Sequence, residues 1–349
     1  MLLVLILAAL LWGIGAMMGT PRAMRWVMIG LLWGGVVLLH LVLPAGHPLR
    51  MATGQSAALW LMLGGAGVLA VLYGKVIGRL KARAQPVDKG GPQAGFSEAE
   101  LERYARHIVL REVGGPGQKR LREARVLVIG AGGLGAPVLT YLAAAGVGTI
   151  GVIDHDEVSN SNLQRQVIFR DADIGKPKVF AAQAALVALN PFITVRPYHR
   201  RLTEEIAVDL MRDYDLVLDG TDNFDTRFLV NRSAVAAGKP LISGAISQWE
   251  GQISVFDPGH DAPCYECIFP KAPADGLAPT CAEAGVMGPL PGVIGAMMAG
   301  EAVKLITGAG APLRGEMLIY DALYGESRKL KLSRRADCPV CGTGKGDET

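Results

Sequence analysis

Arg125–Asp154 reads RVLVIGAGGLGAPVLTYLAAAGVGTIGVID, and this stretch decides the fold. Arg125–Ile129 is a short run of aliphatic, mostly β-branched residues, which reads as a buried strand. It runs directly into Gly130-Ala131-Gly132-Gly133-Leu134-Gly135. A helical pattern follows over Ala136–Ala145, then a second strand, Thr149–Ile153, ending at Asp154. Strand, glycine turn, helix, strand and acid, in that order, follow the logic of a nucleotide site, with a merely structural tight turn as the other reading. Glycines let the backbone approach a phosphate, the helix N-terminus offers the positive end of its dipole, and the acid takes ribose hydroxyls. Asp154 follows Gly135 at the spacing of about 20 residues that such sites use.

Outward from this unit, strands at Ile193–Tyr198, Asp215–Asp219 and Pro240–Gly244 alternate with helical patterns at Lys178–Leu189, Glu204–Arg212 and Asp225–Ala237. That alternation predicts a parallel sheet covered on both faces. Gln252–Phe256, Met317–Tyr320 and Ser327–Leu332 are expected as antiparallel additions. The fold class is therefore α/β, a Rossmann-like and mostly parallel sheet with an antiparallel extension. Ser97 with Glu100 fits a capping box that opens a helix over Ala99–Leu110. The apolar stretch Gly292–Thr307 is interrupted by Glu301 and Lys304, which favours a core helix over a membrane span.

The N-terminal quarter has a different composition. The chain has 349 residues, 50% hydrophobic and 19% charged, with a formal charge of +3. Such a composition excludes a disordered chain. Seven of the 35 Lys and Arg, and none of the 32 Asp and Glu, lie in residues 1–87. A basic, apolar head on a mildly acidic body argues against general nucleic-acid binding and for a membrane head on a soluble domain. The runs Met1–Gly19, Trp26–Leu43 and Ser56–Gly74 are each near the roughly 20 residues that cross a bilayer. Arg22 and Arg25 separate the first two runs, and Lys75, Arg79, Lys81 and Arg83 follow the third. Only Arg50 and His47 lie between the second and third. Positive-inside orientation then puts the N-terminus outside and the body in the cytoplasm, as a multi-pass protein of the inner (cytoplasmic) membrane. The other reading of the first run, a cleaved signal peptide, lacks a basic n-region and a clear cleavage site. A soluble three-helix core is disfavoured because each run is apolar all round. Gln85–Gly95 (QPVDKGGPQAG) reads as a flexible tether. The expected organisation is a three-helix membrane anchor over 1–84, a linker over 85–95 and the body over 96–349.

Past the second strand stand Asp154-His155-Asp156-Glu157-Val158-Ser159-Asn160-Ser161-Asn162-Leu163-Gln164-Arg165-Gln166 and then Gly175-Lys176-Pro177-Lys178. Arg165 and Lys178 are cations beyond a phosphate turn, more compensation than a pyrophosphate bridge requires. Asp219-Gly220-Thr221-Asp222-Asn223 lies at the carboxyl end of a strand, where ligands gather, and a carboxylate there can hold Mg²⁺. Four of the five cysteines form two Cys-x-x-Cys pairs, Cys264/Cys267 and Cys338/Cys341. Two such knuckles make a tetrahedral site for structural Zn²⁺ in a reducing compartment, with redox disulfides as the other reading. Cys281 follows the Gly/Pro-rich Lys271–Pro279 and reads either as a thiol on a mobile loop or as a simple buried cysteine.

Taken together, these residues resemble the MoeB/ThiF/HesA family of E1-like adenylyltransferases, with the MoeB type nearest. The resemblance is carried by RYARHIVL (Arg103–Leu110), GAGGLG, DHDEVSNSNLQRQ, GKPK, DGTDN, SGAISQWEGQISVF (Ser243–Phe256), PCYEC, TCAEAGVMGPL (Thr280–Leu290) and CPVC. It spans about residues 97–342. It implies a ThiF/E1-like fold and a symmetric homodimer. It implies that the turn of Gly130, Gly132, Gly133 and Gly135 contacts ATP and that Asp154 binds the ribose. Ser161, Asn162, Gln164 and Arg165 would line the triphosphate, Lys178 would neutralise it, and Asp222, with Asn223 beside it, would hold Mg²⁺ or orient the reacting phosphate. Arg106 would reach into the neighbouring protomer's site.

The implied reaction joins AMP to the C-terminal glycine carboxylate of a small ubiquitin-like sulfur carrier, MoaD-like or ThiS-like, and releases pyrophosphate. A carboxylate is already ionised near neutral pH and needs no general base. In some members the cysteine matching Cys281 accepts a thioester or persulfide. No sulfurtransferase domain follows Cys341, so a separate sulfur donor is expected. His107 departs from the Gln of many relatives, and the apolar head lies outside the family's usual body. The alternatives are activation of another carboxylate or a modified tRNA base, an NAD-dependent oxidoreductase, which the Arg165/Lys178/Asp222 set disfavours, and a non-catalytic membrane scaffold.

Overall fold

The structure, a computed structural model, describes residues 2–44, 46–54, 56–83, 95–273 and 284–342. It divides into two compact units, Met1–Gly95 and Phe96–Thr349. The expected tether and the loop carrying Cys281 fall almost wholly outside the described residues.

The first unit holds helices α1 (Leu2–Met17), α2 (Arg22–Val42), α3 (Pro48–Thr53) and α4 (Ala57–Arg83). Within α2, Met24–Val42 is long and apolar enough to cross a membrane, a property shared by signal sequences near an N-terminus. Leu3–Met17 is a shorter apolar helix and Ala57–Leu69 is an apolar stretch within the longer α4, so Met24–Val42 is the one segment of this unit that meets both criteria among the described residues. The third run does not stop at Gly74, because α4 continues through the basic residues to Arg83. Gly64 is where two helices meet: a Cβ there would stand 2.2 Å from Cζ2 of Trp33. Trp33 Nε1 donates to the Trp60 carbonyl at 2.8 Å, and Trp60 packs with Val4 and Val36. Most other large apolar side chains of this unit, such as Trp26 and Leu31, face outward.

The second unit opens with α5 (Glu98–Ile108), whose capping box between Ser97 and Glu100 is formed as expected. A further helix, α6 (Gly114–Glu123), follows. One sheet then organises the body. Its strands are β1 (Arg125–Ile129), β2 (Thr149–Asp154), β3 (Thr194–His199), β4 (Leu216–Asp219), β5 (Leu241–Ile246), β6 (Glu250–Phe256), β7 (Glu316–Asp321) and β8 (Glu326–Lys331). Their spatial order is β3-β2-β1-β4-β5-β6-β7-β8. The first five pair in parallel and the last three are added antiparallel, the mixed sheet that the alternation predicted. β1 is central, and Val126–Ile129 are all buried, which is why it reads as an unbroken apolar run. β8 (ESRKLK) forms the outer edge and is exposed along its whole length.

Helices α7 (Gly135–Ala145), α8 (Lys178–Leu189), α9 (Glu204–Arg212) and α10 (Phe224–Ala237) connect the parallel strands. Leu290, Ile294, Met298 and Ala302 of α12 (Leu290–Thr307) are fully buried at helical spacing, so this apolar helix belongs to the core. Its fit against α7 is close, since a Cβ on Gly295 would lie 2.4 Å from Pro137 Cγ. The short α11 (Tyr265–Ile268) carries one of the Cys-x-x-Cys pairs.

Candidate active site

β1 and β4 are neighbours in the sheet, with β2 and β5 leaving them on opposite sides. A strand order that reverses in this way opens a crevice beyond the carboxyl ends of the two strands. A cavity of about 1170 Å³ lies there. Its floor is the glycine turn. Gly130 has φ +90°, and a Cβ on Gly135 would stand 1.9 Å from the Gly130 carbonyl oxygen, so both hold the turn's shape. Gly132 and Gly133 belong to the cavity wall, at the N-terminus of α7.

Asp154, at the end of β2, also lines the cavity. Its Oδ2 accepts from the Ala131 amide at 2.7 Å and its Oδ1 from the Asp156 amide at 2.8 Å, which fixes the plane of the carboxylate. Lys178 opens α8 and is buried, and its Nζ donates to Asp156 Oδ2 at 2.8 Å. Its amide also donates to the Asp156 carbonyl at 2.9 Å. Burial pushes the Asp156 carboxyl up, but the hydrogen bond and charge of Lys178 outweigh it and hold the group below the usual carboxylate range. One connected set of bonds thus runs from the glycine turn through both aspartates to the buried ammonium.

The expected triphosphate ligands divide. Asn162 and Arg165 line the cavity, and the Arg165 guanidinium is braced by the Ser161 carbonyl at 2.9 Å. Ser161 and Gln164 are exposed and form no part of the wall. The Ser161 hydroxyl instead meets the Ser159 hydroxyl at 3.0 Å.

Asp222 and Asn223 line the opposite side. The Asn223 Oδ1 caps α10 by accepting from the Thr226 amide at 2.9 Å. Asp222 is exposed to the cavity and makes no hydrogen bond or ion pair with another described residue. The turn that carries it is tied down from beneath. Asp219 is 1% exposed and accepts from the Thr221 amide at 2.9 Å and the Thr221 hydroxyl at 2.7 Å. The buried Arg227 donates to the carbonyls of Thr221 and Gly244 and lies 4.0 Å from Asp219 Oδ2. Sequence reasoning singled out neither Arg227 nor Asp156; in sequence each is one charge among many. Nor did it single out Arg200 and Arg201, which line the cavity just past the end of β3. Arg106 is exposed on the last turn of α5 and is absent from this wall.

Away from the crevice, Cys264, Cys267, Cys338 and Cys341 are all buried, with their sulfurs within 4.8 Å of one another. Individual separations are 3.9 Å (Cys264–Cys267), 3.6 Å (Cys264–Cys338) and 3.4 Å (Cys267–Cys341). A Zn²⁺ tetrahedron with bonds of about 2.3 Å has edges of about 3.8 Å, whereas a disulfide requires about 2.05 Å. The donor set therefore fits zinc. The Arg335 amide donates to Cys267 Sγ at 3.4 Å, an outer contact suited to a thiolate. Burial pushes the Cys264 and Cys267 thiols up; for Cys338 the amides of Cys341 and Val340 outweigh burial and bring it to about 7.

The ThiF family profile matches residues 104–340. The chain is similar to a sulfur carrier protein adenylyltransferase of Thermus thermophilus, 53% identical over 251 residues that cover 71% of this chain and 93% of that protein. It is also similar to a molybdopterin-synthase adenylyltransferase of Salmonella typhimurium, 46% identical over 249 residues, covering 71% of this chain and 99% of that one. Among solved structures, E. coli MccB with AMPCPP and MccA aligns with a TM-score of 0.60 at 26% identity, covering 69% of this chain and 74% of that one.

Proposed function

We infer, from the premise that this chain belongs to the ThiF family, that the crevice adenylylates the tail of a carrier protein. The chain is an ATP-dependent adenylyltransferase acting on a ubiquitin-like sulfur carrier, as its relatives are. The observation that carries this reading is the convergence of Asp154, Arg165, Lys178 and Asp222 on one cavity floored by the glycine turn.

In this reading the turn and the α7 N-terminus receive phosphate through backbone amides. Asp154, already oriented by two amides, accepts the ribose hydroxyls. Arg165 and the two remaining N–H donors of Lys178 flank the triphosphate. The carrier's terminal carboxylate attacks the α-phosphorus, the bond to the β-phosphate oxygen breaks, and pyrophosphate leaves with the electron pair. No proton need move, so catalysis rests on positioning and charge. Asp222 is the carboxylate that would hold Mg²⁺, which supplies further charge neutralisation when bound. The four cysteines would hold structural Zn²⁺ and tie the segment of Cys338 and Cys341 to α11. Arg106, exposed and outside its own chain's wall, would serve the site of a second protomer. The apolar α2 supports a membrane-anchored protein with a cytoplasmic body, and resistance to carbonate extraction tests that placement; recovery in the soluble fraction overturns it.

ATP–pyrophosphate exchange with purified MoaD-like and ThiS-like carriers tests the reaction. Exchange that depends on one carrier is expected and also assigns the pathway. Absence of exchange with every carrier offered overturns the reading.

A further inference from the structure

Arg227 and Asn231 stand about one turn apart on α10, both buried, and each grips a different part of the domain. Arg227 serves the turn of Asp222. Its Nη2 donates to the Thr221 carbonyl and, at 2.9 Å, to the Gly244 carbonyl on β5, and its Nη1 donates to Ser243 Oγ at 3.3 Å. The Thr221 carbonyl belongs to the peptide that leads into Asp222. A peptide is planar, so holding this oxygen orients the Asp222 backbone. Asp222 has no partner of its own among the described residues, so its direction is set from behind.

Asn231 serves the cysteine cluster. Its Oδ1 accepts from the Tyr265 amide at 2.9 Å, and its Nδ2 lies 3.8 Å from Cys264 Sγ. The first Cys-x-x-Cys pair and Asn231 together fix the backbone of Tyr265, which is 4% exposed. Its ring meets those of Phe228 and Phe256 edge-on, with centroids 5.6 Å and 5.7 Å away. Its hydroxyl is hydrogen-bonded to Arg227, and the two side chains line both the crevice and a small void behind it. A guanidinium only donates, so the hydroxyl oxygen is the acceptor. Burial pushes this hydroxyl above the usual phenol range, with the charge of Arg227 opposing the rise and that of Asp219 adding to it, so the group stays neutral. Asp219 Oδ2 lies 4.0 Å from Arg227 Nη1, beyond hydrogen-bond reach. Without the Tyr265 hydroxyl a buried N–H would lose its acceptor, and this carboxylate offers a replacement. A guanidinium drawn towards Asp219 releases the Thr221 carbonyl.

We propose that Tyr265 is a positioning residue, whose hydroxyl holds the Arg227 guanidinium on the Thr221 carbonyl and so sets the direction in which Asp222 faces the crevice. The proposal rests on the adenylylation reading above. Tyr265 acts through Arg227 and makes or breaks no bond. The segment between the cysteines thus does more than staple the chain: it carries the hydroxyl that seats the far side of the nucleotide site.

The test compares the full-length protein with Tyr265→Phe, Arg227→Lys and the double variant. It reads carrier-dependent pyrophosphate exchange, ATP affinity with and without Mg²⁺, thermal unfolding and zinc content. Tyr265→Phe keeps the ring and its packing. It is expected to lower kcat by about 10–10²-fold, the scale of a slightly misplaced catalytic group. ATP affinity without Mg²⁺ should be unchanged, since Asp154, Arg165 and Lys178 are untouched, whereas the gain in affinity that Mg²⁺ brings should shrink. Zinc content should equal that of the unsubstituted protein. Arg227→Lys cannot hold two carbonyls in one fork and should give the same pattern more strongly. Because Tyr265 acts through Arg227, the double variant should lose no more than Arg227→Lys alone. Losses that multiply overturn the proposal. So does near-normal exchange in Tyr265→Phe, a loss that tracks unfolding or zinc content, or one confined to ATP affinity without Mg²⁺. Should Arg227→Lys fail to fold, the Tyr265→Phe pattern decides alone. If the unsubstituted protein itself gives no exchange, the adenylylation reading has failed separately. The Mg²⁺-dependent gain in ATP affinity then decides: a smaller gain in Tyr265→Phe supports the proposal, and an equal or absent gain in both proteins overturns it.

Discussion

The nucleotide crevice and the cysteine cluster lie in one domain and use polar groups in opposite ways. In the cluster each buried sulfur faces another sulfur within 3.9 Å, and the surrounding contacts point inward. In the crevice the groups beneath the surface are saturated, as with Asp219 and both oxygens of Asp154. Asp222, exposed to the cavity, is not: it has no partner among the described residues. Saturation marks groups that hold geometry, and open valence marks groups kept for a ligand. The two regions should therefore respond to substitution in different observables.

The largest effect on the fold is expected from Cys264→Ser. It should abolish zinc content, read by elemental analysis, and cost on the order of 5 kcal/mol in thermal or denaturant unfolding. A folded, zinc-free protein of unchanged stability would erase the contrast. Asp222→Ala should do the reverse, lowering pyrophosphate exchange by about 10³-fold with little change in melting temperature. Near-normal exchange would remove Asp222 from the chemistry.

Asp156→Asn lies between these two and sharpens the boundary. The carboxyl is held below its ordinary range by Lys178, so its contribution to stability is present above the unfolded-chain value of about 3.9 and is lost as pH falls through the lower folded value. The variant should be less stable by about 1 kcal/mol at neutral pH, a modest figure because Asp156 is half exposed. That deficit should vanish in acid. A deficit independent of pH would show that shape, not charge, links Asp156 to Lys178.

The features that could be read without the structure were those encoded locally. The strand–turn–helix–strand of residues 125–154 announces itself by an apolar run, spaced glycines and a terminal acid, and α8 and α9 have the predicted bounds. The joining of Cys264/Cys267 to Cys338/Cys341 was legible because each pair carries its own ligand spacing. α6 was missed because GGPGQKRLRE opens with glycines and a proline and offers a weak helical pattern, while its buried Leu121 declares itself only through tertiary packing. Asp156 and Arg227 were overlooked for the same reason: the partner is set by chain that arrives from elsewhere. Ser161 and Gln164 belong to the same loop as Asn162 and Arg165, yet they are exposed and stand outside the cavity wall.

The outer strand β8 has a consequence of its own. Among the described residues only β7 pairs with it, so its other side presents a row of backbone donors and acceptors that no described strand takes up. Arg328, Lys329 and Lys331 stand along that border as electrostatic fencing, and they discourage another molecule's strand from extending the sheet. Neutral β-branched residues in their place would invite indefinite self-association, so the charges of this strand act on colloidal behaviour while leaving the chemistry at the β1–β4 crevice alone.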